Sequence, residues 1–340
     1  MAPRGMKYAL LRILPLILAT ALTFPAARAE SCQSADDMGA AARSALETTA
    51  NRYYDMASKG DVASLRQNAI PSLASGFGSV ESAVSDNQSN FAGAKATVKS
   101  SFLLKEDSAT PSERAEFLCG VFGKTGQTAG SSVFVIPNLP PGNYGFVSLD
   151  VAGNKIPYTV SFVLVQDGAA WKLGGFYARP ATVSGHNAQW YLQQARTYKT
   201  QGKNHNAWFY YLQARELMTP VNFMSTMETD KLYDEAEAVK PSDLPTSGSG
   251  TTDLAAANGK TYKLTALFPL AVGNDLDLVV KYQAADVSNT GQTFQENAAV
   301  IKALVAKYPE FRDAFAGVVA RAVEPSGRDY GSLLQMKDVK

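Results

Sequence analysis

The spacing of apolar side chains changes near residue 96, and this change restricts the fold class more than any other feature of the chain. Before it, residues 38–59 place apolar side chains three and four positions apart, which predicts a helix whose buried stripe includes Leu46 and Tyr53. After it, apolar and polar residues alternate, as at 96–105, which predicts strands. Helices followed by strands indicate an α+β domain with N-terminal helices packed on a bent antiparallel sheet.

Further helices and strands follow from the same two patterns. Gly60 can end the first helix, Asp61 can cap a second helix that reaches Leu65, and residues 80–91 predict a third helix. Turns rich in Pro, Gly and Asn separate the later alternating segments. These segments predict strands at 115–121, 133–136, 144–151, 158–165 and 171–177. The predicted sheet is therefore an antiparallel meander.

Two motifs mark the ends of this region. The first helix carries Tyr53-Tyr54-Asp55 before Gly60-Asp61, and the closing strand pair at 167–177 ends in Gly-Gly-Phe-Tyr. With these features, residues 36–180 resemble the nuclear transport factor 2-like cone. The resemblance implies a strongly bent sheet wrapped by a long helix, and a sheet of that shape can enclose an apolar pocket.

The resemblance makes five residues candidates for the wall of that pocket: Tyr53, Tyr54, Asp55, Trp171 and Tyr177. Enzymes on this fold place a carboxylate or a histidine among aromatic side chains, where burial moves its pKa toward neutrality for proton transfer. The alternative is that the aromatic side chains belong to the core and that the aspartate is solvated.

Residues 186–220 form a different unit, with one helical run on each side of Gly202. Small and aromatic residues alternate where two helices would meet, at Ala195, Tyr198, Ala207, Tyr211 and Ala214. The segment resembles a single tetratricopeptide repeat, with Pro220 one residue late. Because a concave peptide-binding surface needs at least about three stacked repeats, one copy is predicted to be a helical hairpin that packs on a sheet.

The last part of the chain predicts a small domain of its own. Strands are predicted at 260–268 and 276–282, followed by a helix that Pro309 ends and by two more strands at 318–323 and 330–336. This ββαββ order predicts one helix laid across a sheet, and we recognise no family in it.

Composition changes divide the chain further. A segment rich in Pro, Ser, Thr, Gly and Ala precedes the last domain and predicts a linker. The predicted organisation is a signal peptide at 1–29, an α+β domain at 30–182, a helical hairpin extension at 183–238, the linker at 239–259 and a small α+β domain at 260–340.

The first 29 residues have the three parts of a secretory signal peptide. Three basic residues precede an uncharged apolar run at 13–24, and Ala27-Arg28-Ala29 forms a small-x-small cleavage site. The apolar run is too short to cross a hydrocarbon core of about 30 Å. We therefore expect export to the periplasm or the cell exterior, cleavage after Ala29, and no membrane span in the mature chain.

Only two cysteines are present, Cys32 and Cys119. In an oxidising compartment an isolated pair is most simply a disulfide, and a bridge between these positions would close a long loop. Two unpaired thiols and a redox site are the alternatives. The wide separation of the two residues is unlike the C-x-x-C arrangement of redox sites.

Charge and motif content argue against several function classes. Cleavage would remove four basic and no acidic residues from totals of 32 and 31, which leaves a net charge of −3 and no basic patch for nucleic acid. No Gly-x-Ser-x-Gly elbow is present. Two histidines, His186 and His205, are too few for a usual zinc site. We expect no metal and no cofactor.

Two functions remain as hypotheses. The preferred one is an exported, non-catalytic protein that binds or scaffolds an unknown protein or small molecule. The alternative is a small-molecule binder or an acid–base enzyme, isomerase-like or hydratase-like, that uses the interior of the N-terminal cone. A cavity of a few hundred Å³ in the first domain that contains a buried, unpaired carboxylate would favour the second, and an interior filled by side chains would exclude it.

Overall fold

The structure is a computed structural model that describes residues 30–120, 131–245, 250–273 and 275–340. It confirms the predicted α+β class, since helices and antiparallel strands both occur throughout these ranges. The predicted signal peptide at 1–29 lies outside the described residues. None of the described helices combines the length and the apolar character that a membrane crossing requires.

A short strand and four helices open the described chain. Strand β1 spans Glu30–Ser34. The helices are α1 at Ala40–Ser58, α2 at Val62–Gln67, α3 at Pro71–Ser75 and α4 at Gly78–Phe91. The predicted boundary after α1 is confirmed, because Gly60 adopts a φ of 70° and the carboxylate of Asp61 accepts the backbone N–H of Ser64 at 3.0 Å to cap α2.

Nine further strands precede the linker region and form three sheets. They are β2 at Ala96–Glu106, β3 at Ser112–Cys119, β4 at Ser132–Leu139, β5 at Gly142–Val151, β6 at Tyr158–Asp167, β7 at Ala170–Pro180, β8 at Thr182–Val183, β9 at His186–Asn187 and β10 at Met224–Thr226. The first sheet has the antiparallel order β1-β2-β5-β6-β7, and the second has the order β10-β4-β3. Strands β8 and β9 pair only with each other.

The β3–β4 hairpin departs from the predicted meander, because β2 pairs with β5 and the hairpin forms a separate sheet. Its apolar side chains explain the departure. Phe134 packs against Phe146 of the first sheet with ring centroids 5.2 Å apart, and against Phe102 at the same separation. Stacking on the first sheet buries these aromatic side chains, and burial of apolar surface stabilises the observed arrangement.

Helix α1 covers the other face of the first sheet. Leu46, Tyr53 and Phe162 are fully buried between helix and sheet. Gly145 lets the helix approach closely, because a Cβ at this position would overlap Leu46 Cδ2. The space between α1 and the sheet is therefore occupied by well-packed side chains.

The predicted disulfide is present. Cys32 in β1 bonds to Cys119 at the end of β3, with the two Cα atoms 5.1 Å apart. Since β1 belongs to the first sheet and β3 to the second, the bridge joins the two sheets covalently.

The predicted helical hairpin is also present. Helix α5 spans Ala188–Thr200, and α6 spans Asn204–Met218. Gly202 makes the turn between them with a φ of 74°. Ala195 and Ala207 are completely buried where the helices meet. A further helix, α7 at Met227–Glu237, follows β10 and packs against α6.

The C-terminal part contains the predicted ββαββ order and one additional strand. Its elements are β11 at Thr252–Ala255, β12 at Thr261–Val272, β13 at Asp275–Gln283, α8 at Thr290–Lys307, β14 at Gly317–Val323 and β15 at Asp329–Gln335. They form a sheet of order β11-β12-β13-β14-β15, in which only β13 and β14 are parallel. Strand β11 lies inside the predicted linker at 239–259.

The hairpin shares one hydrophobic core with this last sheet. Phe209 of α6 contacts Phe311 and Phe315, with ring centroids about 6 Å apart. The hydroxyl groups of two tyrosines in the helical hairpin reach across the same boundary. Tyr198 donates to Asp313 O at 2.7 Å, and Tyr210 donates to Ala314 O at 2.6 Å. Most residues from 183 onward therefore pack around this core, whereas Val221, Phe223 and Met224 pack with the N-terminal sheets.

Candidate functional site

A cavity of about 500 Å³ opens on the face of the first sheet that points away from α1. Strand alternation puts Phe146 and Val163 on this face, whereas Val147 and Phe162 point toward α1. The volume lies in the range of small-molecule sites in proteins. The cavity is therefore large enough for a ligand and separate from the filled space beneath α1.

One wall of the cavity is aromatic and is built from distant parts of the chain. Phe223 comes from the segment between α6 and β10, which is tied to the second sheet because Val135 N–H donates to Phe223 O at 2.9 Å. The ring of Phe223 lies 5.8 Å from that of Tyr177 and 6.5 Å from that of Phe146, both edge to face. The segment between α6 and β10 thus closes a pocket that the first sheet alone would leave open.

The opposite wall is formed by the turn between β4 and β5. Its Leu139-Pro140-Pro141 segment is held in place because Tyr144 donates its hydroxyl to Pro140 O at 2.7 Å. Ile70 and Ser72 line the cavity from the side of β7. That segment is fixed to the sheet by a bond from Ile70 N–H to Leu173 O at 2.9 Å.

Two consecutive glycines in β7 lie at the cavity, where Gly174 lines it and Gly175 is the next residue along the strand. A Cβ at Gly174 would lie 2.7 Å from Val165 Cγ2, and a Cβ at Gly175 would lie 3.0 Å from Tyr177 Cε2. The pairing of β6 with β7 shifts register at this point, which is typical of a bulge. Larger side chains would fill the volume that the glycines leave to a ligand.

The cavity is lined almost entirely by apolar side chains. Among the described residues that line it there is no Asp, Glu, His, Lys, Arg or Cys. The polar side chains are the hydroxyl groups of Ser72, Tyr144 and Tyr177. Desolvation raises the pKa of Tyr177, so its hydroxyl is neutral at physiological pH and can donate a hydrogen bond.

Only Tyr177 of the five predicted wall residues lines this cavity. Tyr53 and Tyr54 are residues of α1 whose side chains are buried in the core that this helix covers. The hydroxyl of Tyr53 donates to Trp171 O at 2.8 Å, and that of Tyr54 donates to Ala94 O at 3.1 Å. Asp55 is exposed on the helix surface and pairs with Lys59 at 2.7 Å. Trp171 packs at the edge of the core beneath α1. The structure therefore keeps Tyr53, Tyr54 and Trp171 in one core and places Asp55 and Tyr177 outside it.

Sequence reasoning missed most of the cavity. The glycine pair in β7 was its clearest signal, since Gly inside a strand often marks close approach of another group. The contribution of Phe223 carried no such signal, because it lies more than 40 residues beyond Tyr177 and outside the predicted cone.

A buried carboxylate lies close to the cavity wall without lining it. Glu106, at the end of β2, is 2% exposed, and its Oε1 accepts the backbone N–H of Ser108 at 2.9 Å. Its Oε2 is buried and has no hydrogen-bond partner among the described residues. Its charge contributes to the raised pKa of Tyr144, whose main cause is desolvation. Glu106 is therefore the titratable group next to this site.

Comparison of the chain with protein-family models, with curated proteins and with solved structures found no match. The resemblances to the nuclear transport factor 2-like cone and to a tetratricopeptide repeat stay predictions.

The two histidines lie far from the cavity and serve different contacts. His186 stacks on Trp190 with ring centroids 3.6 Å apart. His205 lies between two carboxylates, with Nδ1 2.8 Å from Glu310 Oε1 and Nε2 2.9 Å from Asp243 Oδ1. In the described ranges no group of three or more His, Cys, Asp and Glu side chains is arranged to hold a metal ion.

We expect H205A to lower the free energy of unfolding by about 1–2 kcal/mol, because each carboxylate loses a charge-assisted hydrogen bond. An ionised carboxylate only accepts, so both bonds form when the imidazole ring carries a proton on each nitrogen. The ring is 20% exposed, which places the effect below that of a fully buried pair.

Chemical denaturation at pH 6 measures this effect, and N204A is the matched control, since that exposed neighbour begins the same helix. Equal unfolding midpoints for H205A and N204A would contradict the assignment.

Proposed function

We propose that this protein binds a small apolar molecule without chemically changing it, in the cavity between the first sheet, the β3–β4 hairpin and Phe223. The observation that carries the proposal is an uncharged, largely apolar cavity of about 500 Å³, to which strand β7 contributes Gly174 and Tyr177. Binding there needs no cofactor. The proposal joins the predicted non-catalytic role with the predicted use of the N-terminal domain.

The lining of the cavity supports an uncharged or weakly polar ligand. A charged group that entered the cavity would lose its hydration without meeting an opposite charge among the described lining residues, which is costly. The Tyr177 hydroxyl offers one hydrogen bond to a carbonyl, ether or hydroxyl oxygen. A hydrocarbon or aromatic body with one such oxygen fits both features.

The composition of the cavity supports binding over proton transfer. A general acid or base must lie within hydrogen-bond reach of the reacting atom, and Glu106 is not among the described residues that line the cavity. We therefore expect E106Q to bind the ligand as the unchanged protein does. Loss of binding in E106Q would favour a ligand with a cationic or donor group at that end.

The proposal predicts a dependence of affinity on chain length. Displacement of Nile red, a neutral dye that fluoresces in apolar sites, is measured with primary alcohols of increasing length. Each buried CH₂ contributes about 0.8 kcal/mol, or roughly a fourfold gain in affinity, until the cavity is full. We then expect the gain to stop.

Filling the cavity should abolish this binding. In V163F the larger ring occupies the space above Gly175, so we expect dye affinity to fall at least tenfold while the thermal unfolding midpoint shifts by only a few degrees. V319F is the matched control, because Val319 is partly exposed in β14 on the distant C-terminal sheet. Equal dye binding by V163F and V319F would refute the proposed site.

A further inference from the structure

A second and larger groove lies in the C-terminal part, far from the apolar cavity. It has a volume of about 1210 Å³ and runs between strand β11 and helix α8. Lining residues on α8 extend from Gln292 to Lys307, which corresponds to about 22 Å at 1.5 Å per residue. An extended peptide of about seven residues spans that length.

Strand β11 presents its backbone edge to this groove. Three successive residues, Asp253, Leu254 and Ala255, line the groove although their side chains alternate between the two faces of the sheet. A surface that three consecutive strand residues all line must therefore be the backbone edge of the strand, because neither face of the sheet carries all three side chains. Strand β11 is also the outer strand of its sheet, since its sole partner among the described strands is β12.

The register of β11 identifies the groups at this free edge. Ala256 N–H donates to Lys260 O, and the same alternation directs the backbone groups of Leu254 toward Tyr262 on β12. The N–H and C=O groups of Asp253 and Ala255 therefore point away from β12. An incoming strand can pair with them, as in recognition by strand addition.

Helix α8 forms the other wall with small side chains. Ala299, Ala303 and Ala306 lie at spacings of three and four, so they share one face of the helix. Short side chains on this face leave room beside β11 for another backbone.

The charge of the groove is positive at the end where α8 finishes. Lys302, Lys307 and Lys340 line it, and none of the three has an ion-pair partner within the described ranges. Lys260 is neutralised by Glu296 at 2.6 Å, which leaves Asp253 as the unpaired acidic side chain of the lining. Unpaired lysines beside a free strand edge favour an acidic partner.

We propose that this groove binds an extended acidic segment of a partner protein, which adds as a strand to the free edge of β11 and places its carboxylates near Lys302 and Lys307. The free edge supplies affinity through backbone hydrogen bonds, and the lysines select for acidic residues. This site is independent of the apolar cavity, because the two share no residues.

The test uses a fluorescein-labelled eight-residue peptide in which Glu and Val alternate, with a Lys–Val peptide as the charge-reversed probe. Fluorescence anisotropy is measured with the full mature chain at two salt concentrations. We expect the acidic peptide alone to bind, with an affinity that falls as salt increases. Equal binding of both peptides would overturn the proposal.

Two variants separate charge from backbone pairing. K302E/K307E should lower affinity for the acidic peptide at least tenfold, whereas the control K95E/K199E, which changes two exposed lysines elsewhere, should alter it less than twofold. A255P removes the outward N–H of β11 and should also cost at least tenfold, since Pro on an edge strand disturbs no bond to β12. Unchanged binding by A255P would overturn strand addition.

Discussion

Replacing both cysteines by serine, in C32S/C119S, is expected to lower the free energy of unfolding by about 4 kcal/mol. The bridge spans 87 residues of sequence, and a loop of that length loses much of its conformational freedom in the unfolded chain when its ends are joined. Loss of the bridge should lower the thermal midpoint by more than ten degrees, given that a 1 kcal/mol change shifts the midpoint by several degrees in domains of this size.

The position of the bridge adds to its effect on the folded state. Cys119 is fully buried in the core between the two sheets, so serine there buries a hydroxyl in an apolar layer. The bridge also ties strand β1, which pairs with β2 along its whole length, to β3 of the second sheet.

Thermal unfolding with and without reductant provides the measurement and its control. The reduced protein should lose most of what C32S/C119S loses, because reduction removes the same constraint without a substitution. A variant that unfolds within two degrees of the oxidised protein would show that the bridge contributes little.

Elements that local patterns specify were predicted well. The structure contains the apolar stripe of α1 and the cap at Asp61 near the expected residues. It also ends helices close to Gly202 and Pro309, as predicted. Each depends on contacts within one turn of helix or one strand, so the sequence of that segment determines it.

Several of the elements that sequence reasoning missed are short strands held by distant partners, and helix α7 was missed as well. Strands β1, β10 and β11 contain three to five residues each, too few for an alternating pattern to be distinguished from a loop. Strand β10 forms because β4 offers an unpaired edge more than 80 residues earlier in the chain. Such pairing is a property of the folded chain and leaves no local signal.

The candidate site shows the same division. Alternation in β6 and β7 predicts which side chains share a face, but it does not say which face is covered by a helix and which is left open. The covered face holds Phe162 and Phe176, whereas the open face holds Val163 and Tyr177. The cavity depends on where Phe223 returns to the sheet, and that position is set by the packing of the hairpin.

The hairpin also connects the two largest bodies of the molecule. Helices α5 and α6 share a core with the C-terminal sheet through Phe209. The segment that directly follows α6 contributes Phe223 and β10 to the N-terminal sheets.

F209A is expected to lower the free energy of unfolding of the C-terminal body by about 3–5 kcal/mol. Phe209 is fully buried and contacts Phe311, Phe315 and Trp208, so its removal leaves a cavity at the junction of hairpin and sheet. Because these contacts belong to a core that excludes α1 and the first sheet, the loss should be local to residues beyond 183.

Hydrogen exchange measured by mass spectrometry resolves this locality. In F209A, exchange should become faster in α5, α6 and β12–β14 while α1 and β5–β7 keep their protection. F162A is the matched control, since Phe162 is equally buried in the core beneath α1, and it should produce the reverse pattern. If both variants accelerate exchange throughout the chain, the two bodies unfold as one cooperative unit, and the predicted division into domains is wrong.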